Sequence, residues 1–154
     1  MARTPLTLFR TLAIAEAISW TLLIGGMILR SIAGLDVAVS IGGGIHGFVF
    51  LAYGVTAVLV AKNQRWSAGP TALAIVSAVV PYATVPTEIW LHRSGRLDGG
   101  WRRERTEDPR DATWHDRLLR TLLAHPAVSA GAAAVAVVAV FAGLLVVGPP
   151  GGGA

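Results

Sequence analysis

Four apolar segments of 23 or 24 residues, at 6–29, 38–61, 68–91 and 126–148, take up more than half of the chain and restrict its fold more than any other feature. At about 1.5 Å per residue each reaches roughly 36 Å as a helix, enough to cross a hydrocarbon core of about 30 Å. Only 14% of the 154 residues are charged and 53% are hydrophobic, where a soluble domain carries about a quarter charged. The expectation is an all-α, polytopic membrane helical bundle. It has four transmembrane helices, a three-helix core at 6–93 and one further helix at 126–148.

Within the first segment, LTLFRTLAIAEAISWTLLIGGMIL, Arg10 and Glu16 are the ionisable residues. Its eleven Leu, Ile and Phe residues favour insertion by up to roughly 3 to 6 kcal/mol against about 3 for a mid-span acid, so the segment can carry Glu16. A cleaved signal peptide has an apolar stretch of about 7 to 15 residues and does not normally carry a central carboxylate. The short RSIAGLDV turn makes the second segment an antiparallel neighbour of the first. Ser67 is placed to cap the third, where Pro81 and Pro86 remove backbone donors and predict a kink at VVPYATVP. A continuous 24-residue span is the primary expectation there, and a re-entrant segment protected by protein is the alternative.

Residues 94–125 form a charged, solvated loop without a core of its own. Its last part, TWHDRLLRTLLAH, aligns Trp114, Leu118 and Leu122, with Leu119 and Leu123 beside them. Residues 113–124 are therefore expected to form an amphipathic helix on the membrane surface, opened by a Thr113–Asp116 capping box. Packing against a soluble partner is the alternative. The tail at 149–154 is expected to be flexible. With four full spans, Arg3, Arg10, Lys62 and Arg65 face Arg30 and the eight arginines of residues 92–125 across the membrane. The positive-inside rule then places the 92–125 loop in the cytoplasm and both termini outside the cell membrane. If the third segment is re-entrant, every basic residue except Arg30 lies inside.

The polar residues within the spans are the candidate functional ones. On a helix, Phe50, Tyr53 and Ala57 fall within about 40° of His46, and Gly43, Gly47 and Gly54 line the neighbouring face as a helix-packing seam. On the first span Glu16, Ser19, Trp20 and Leu23 share a face. Helix rise puts Glu16 and His46 about 8 Å apart in depth, which leaves direct pairing and a water-bridged relay both open. The candidate cluster is Glu16, Ser19, His46 and Tyr53, and its plainest role is to hydrogen-bond across a helix interface. Glu88, beside Trp90, His92 and Arg93, is expected to be an interfacial anchor.

Other chemistry finds little support. No phosphate loop, nucleophile elbow or H-E-x-x-H motif is present, and a bis-histidine haem needs a second buried histidine beside His46. The chain has no cysteine, so disulfides and thiolate metal sites are excluded. Basic residues lie in loops rather than on an aromatic-lined stripe, so no nucleic-acid partner is expected, and no cofactor, metal or catalytic residue is assigned.

The order FRTLAIAEAIS with Glu16, GGGIHGFVFLAY with His46, Gly47 and Tyr53, RWS at 65–67, and Pro81 after an apolar run resembles a family of small bacterial integral-membrane proteins. That family is marked by a histidine-glycine pair and classed as a domain of unknown function. The family pattern continues past the proline with an aromatic, a glycine and small residues, whereas this chain reads PYATVPTEIW. The resemblance covers the first three segments and implies a membrane location without an established activity. Function is expected to be that of a non-enzymatic binding or assembly component, partnered by the lipid bilayer and by copies of itself or other membrane proteins. The alternative is a small oligomeric proton-linked transporter or channel using Glu16 and His46, and a membrane redox or enzyme subunit is the lesser one.

Overall fold

The computed structural model describes residues 4–147, and among them the only regular structure is helical. The elements are α1 (Pro5–Ala33), α2 (Asp36–Asn63), α3 (Ala68–Ser77), α4 (Thr84–Arg93), a short 3₁₀ turn (Pro109–Ala112), α5 (Trp114–Ala124) and α6 (Pro126–Val147). The expected flexible tail at 149–154 and Arg3 lie outside the described residues.

Local chemistry sets the ends of α1. The Thr4 hydroxyl accepts the Thr7 N–H, and Pro5 sits in the first turn, where a missing donor costs nothing. Gly34 closes the helix at φ 66°, donating its N–H to the Arg30 carbonyl. Helix α2 then returns against α1, and Arg30 pairs with Asp36 across the turn at 2.9 Å.

Two glycines let α1 and α2 meet backbone to backbone. A Cβ on Gly26 would lie 2.6 Å from the Ala38 carbonyl oxygen, and one on Gly42 would lie 2.6 Å from that of Leu22. The expected seam of Gly43, Gly47 and Gly54 is therefore distributed differently. A Cβ on Gly43 would meet Leu23 Cδ1 at 3.8 Å, one on Gly47 would lie 2.8 Å from Phe141 Cε2 of α6, and one on Gly54 would meet nothing within 4 Å. Periodicity shows which glycines share a face, but not which helix arrives there.

The third apolar segment departs from the continuous span expected of it. Helices α3 and α4 have ten residues each, about 15 Å, and the chain doubles back between them. Pro81 has no N–H to continue α3, Tyr82 turns through the left-handed region at φ 64°, and Pro86 falls in the first turn of α4, where it is tolerated. The Trp20 indole donates to Ala78 O at 3.2 Å near the hairpin tip, while Thr84 donates to Ala13 O at 2.9 Å on the way back. At the base Trp66 donates to Arg96 O at 2.7 Å, so the segment enters and leaves at one end of the bundle. Three helices, α1, α2 and α6, are long and apolar enough to cross a membrane.

The core lies toward that same end, where Phe9, Tyr53, Val60, Ala74, Leu91 and Leu97 are buried together. The Phe9 ring centroid is 5.5 Å from that of Tyr53 and 5.8 Å from that of Trp66. Residues 94–125, expected to be a solvated loop, instead form a docked cap. Arg102 donates to the last carbonyls of α2, at Lys62 and Asn63, and Asn63 returns bonds to Gly100 O and from Arg102 N–H. On α5, Leu119, Leu123 and Asp116 face inward while Trp114, Leu118 and Leu122 point outward. The Thr113 hydroxyl donates to the Asp116 carboxylate at 2.6 Å rather than accepting its N–H, so the expected capping box becomes a side-chain pair.

Helix α6 starts at the cap and runs antiparallel to α2. Phe141 lies about 22 Å from its start and meets Gly47, which lies about 24 Å from the cap end of α2.

Candidate functional site

The structure gathers three of the four expected polar residues. Glu16 and Ser19, one turn apart on α1, are fully buried, and His46 of α2 meets them through the gap that Gly42 opens. The Ser19 hydroxyl lies 3.0 Å from Glu16 Oε2, 2.9 Å from His46 Nδ1 and 2.8 Å from the Glu16 carbonyl. Glu16 Oε2 and His46 Nδ1 are 3.5 Å apart, so the depth gap of about 8 Å expected from helix rise closes to direct contact. The Trp20 ring packs on the imidazole with centroids 4.3 Å apart, and Phe50 flanks it at 6.1 Å. Tyr53 joins a different partner: its hydroxyl lies 3.2 Å from Ser77 Oγ of α3.

A serine hydroxyl donates one proton and accepts at two lone pairs. Ser19 can therefore accept from a protonated Glu16 while donating to His46, or accept from His46 Nδ1–H while donating to a carboxylate. Either arrangement satisfies the bridge, and moving between them shifts a proton across the helix pair. Glu16 Oε1 is buried and has no hydrogen-bond partner, which leaves the acid incompletely satisfied.

Several participants escaped the sequence pattern. Glu88, expected as an interfacial anchor, is buried and pairs with Arg10 at 3.0 Å, tying α4 to α1. Ser77 and the Trp20 indole N–H hold the hairpin. In the cap, Asp111 accepts from Arg65, Arg102 and Thr106, while Asp116 accepts from Lys62, Arg102 and Thr113. The Thr106 hydroxyl and N–H hold Asp111 down at about 2. Arg110 holds Asp108 well below the usual carboxylate range through side-chain and backbone bonds, and Arg65 adds to it. Burial opposes the same shift at Asp116, but Thr113, Lys62 and Arg102 together outweigh it. The alternation of Arg and Asp in residues 98–120 was the one signal that could have pointed to this network. Among the described residues no three acid or histidine side chains gather into a metal-holding group.

A stretch of 91 residues is 41% identical to a protein of Streptomyces coelicolor named "Putative membrane protein SCO5905", and it covers 58% of this chain but 11% of that protein's length. No solved structure matches. The family model described as a domain of unknown function, DUF3817, matches residues 6–93, which hold α1, α2, the α3–α4 hairpin and the Glu16–Ser19–His46 bridge. This helical membrane protein belongs to that family.

Proposed function

We propose that the protein is a non-enzymatic component of the cell membrane that assembles with other membrane components, its core at residues 6–93 serving as the scaffold and α6 as the contact helix. The observation that carries this is the bare surface of α6. It meets its own chain mainly along Ser129, Ala133, Val137 and Phe141, and exposes Gly131, Val135, Ala139 and Ala142 on the other side. Small residues are what helices use to pack closely in lipid, where apolarity alone gives no drive to associate. The bridge of Glu16, Ser19 and His46 then acts as an interhelical lock, and the cavities between α2, α3 and the cap are lined by other residues.

Native mass spectrometry of the full chain, extracted in mild detergent, tests this reading. A second copy or another membrane protein is expected to co-purify, and Ala139→Trp on the outward face should remove it without changing helix content. A monomer without partners overturns it. The doubled-back hairpin also places Arg10, Lys62, Arg65 and the eight arginines of residues 93–120 at one end and Arg30 at the other. The positive-inside rule then puts the cap in the cytoplasm and the end of α6 outside.

One observation favours a second reading, proton-linked exchange in an oligomer: the unsatisfied Glu16 Oε1 beside a hydroxyl-bridged imidazole. Here Glu16→Gln should abolish pH-dependent flux in liposomes while leaving expression and oligomer size intact. Unchanged flux, or none from the wild type, would sink it.

A further inference from the structure

Helices α2 and α3 enclose a groove with two chemically different halves. The outer half, at the cap, is a cavity of about 410 Å³ lined by Val58, Ala61, Lys62, Arg65, Arg110 and Asp116, among others. The inner half, about 420 Å³, is lined by Phe50, Leu51, Gly54, Val55, Val58, Ile75 and Ala78 and is almost wholly apolar. Val58 belongs to both halves. Along α2 the lining residues recur every three or four positions from Phe50 to Lys62, with Arg65 just past its end, and on α3 they recur at Thr71 and Ile75, with Ala78 just past its end, so each helix gives one continuous face. From Phe50 to Lys62 the groove runs about 18 Å, close to one leaflet of a hydrocarbon core about 30 Å thick.

We propose that this groove is a binding site for one glycerophospholipid with an anionic headgroup. The phosphate sits among Lys62, Arg65 and Arg110, and one acyl chain lies in the furrow beside Gly54. Charge complementarity selects the headgroup. Lys62, Arg65, Arg102, Arg110 and Arg120 share the three carboxylates of Asp108, Asp111 and Asp116, which leaves two positive charges in excess. The Arg110 side chain, 70% exposed, is the most accessible of these cations and can meet a phosphate from solvent while paired with Asp108. Trp66 lines the polar half, and indoles are enriched at the membrane interface where a headgroup lies. Gly54 shapes the acyl furrow, because a side chain there would enter open space rather than the protein.

The test is native mass spectrometry of the delipidated full chain, titrated with equal concentrations of phosphatidylglycerol and phosphatidylcholine. Phosphatidylglycerol should be retained in preference. Arg110→Gln should cut that preference by about fivefold, the weight of one interfacial charge, and Gly54→Leu should remove bound lipid of both kinds with helix content unchanged. Equal retention of the two lipids by the wild type overturns the proposal, as does full displacement of phosphatidylglycerol by millimolar inorganic phosphate, which would make the site one for a free anion. Photo-crosslinking of wild-type protein with a phosphatidylglycerol carrying a diazirine in its acyl chain needs no variant. Label concentrated on residues 50–58 and 75–78 supports the site, and label spread evenly over α1 and α6 overturns it.

Discussion

Ser19 has one proton to give and three acceptors within 3.0 Å, so it is the residue through which the acid and the imidazole communicate. Ser19→Ala removes the bridge but little volume. It is expected to destabilise the helix pair by about 1 to 2 kcal/mol, the range of interhelical hydrogen bonds in model membrane peptides, read as a shift in the midpoint of detergent-induced unfolding. A change no larger than that of a lipid-facing control such as Ile18→Val would show that the bridge contributes nothing. Gly42→Leu is a harsher substitution because its side chain meets the Leu22 backbone, which cannot rotate away. A loss beyond about 3 kcal/mol, the upper end for overpacking, is expected in the same assay, and near-wild-type stability would contradict the backbone contact.

At the level of elements, the docking of α6 includes an aromatic knob, Phe141, that enters the notch at Gly47. Gly47→Leu should push Phe141 out and release α6 from α2, seen as loss of a disulfide between cysteines introduced at the two helices. Adding Phe141→Ala should restore the crosslink by reopening the space, and failure of that rescue would mean the helices meet elsewhere. Much of this level was legible in the sequence: the extents of α1, α2 and α6 follow from apolar length, and α5 from the stripe of Trp114, Leu118 and Leu122 with Leu119 and Leu123 beside it, although it is the latter pair that faces inward. The third segment was legible only as a pair of alternatives. Pro81 and Pro86 announce a break, but whether the chain kinks or returns depends on Trp20, Ala13 and Arg96, residues remote in sequence that accept or supply the bonds at its tip and base. Glu16 and His46 could be named from the sequence, whereas Ser77 and the pairing of Arg10 with Glu88 could not. A charge within an apolar run stands out, whereas a small hydroxyl or an arginine near a helix start acquires meaning only from its partner.

For the molecule as a whole, the cap ties its charged residues to the end of the bundle, and acid should untie them. Asp111 is lowered from 3.8 to about 2, and Asp108 and Asp116 are lowered as well. Their contribution is complete above pH about 4, declines below it, and at Asp111 is gone once the pH has passed about 2. Proteolysis of residues 94–125 should therefore be slow at neutral pH and accelerate below pH about 4 while α1 and α2 stay intact, and a rate independent of pH would mean that the network does not hold the cap. With α1, α2 and α6 each crossing once, as proposed, the start of α1 and the end of α6 would face opposite sides, so reporters fused before α1 and after α6 should give opposite topology signals. The hairpin adds a constraint in time. Neither α3 nor α4 is long enough to be released into lipid as a span, and the tip between them carries turned backbone whose partners are Trp20 on α1 and, through Ser77, Tyr53 on α2. Both partners precede the hairpin in the chain and leave the ribosome first, so the order of synthesis delivers a finished berth before the segment that needs it appears.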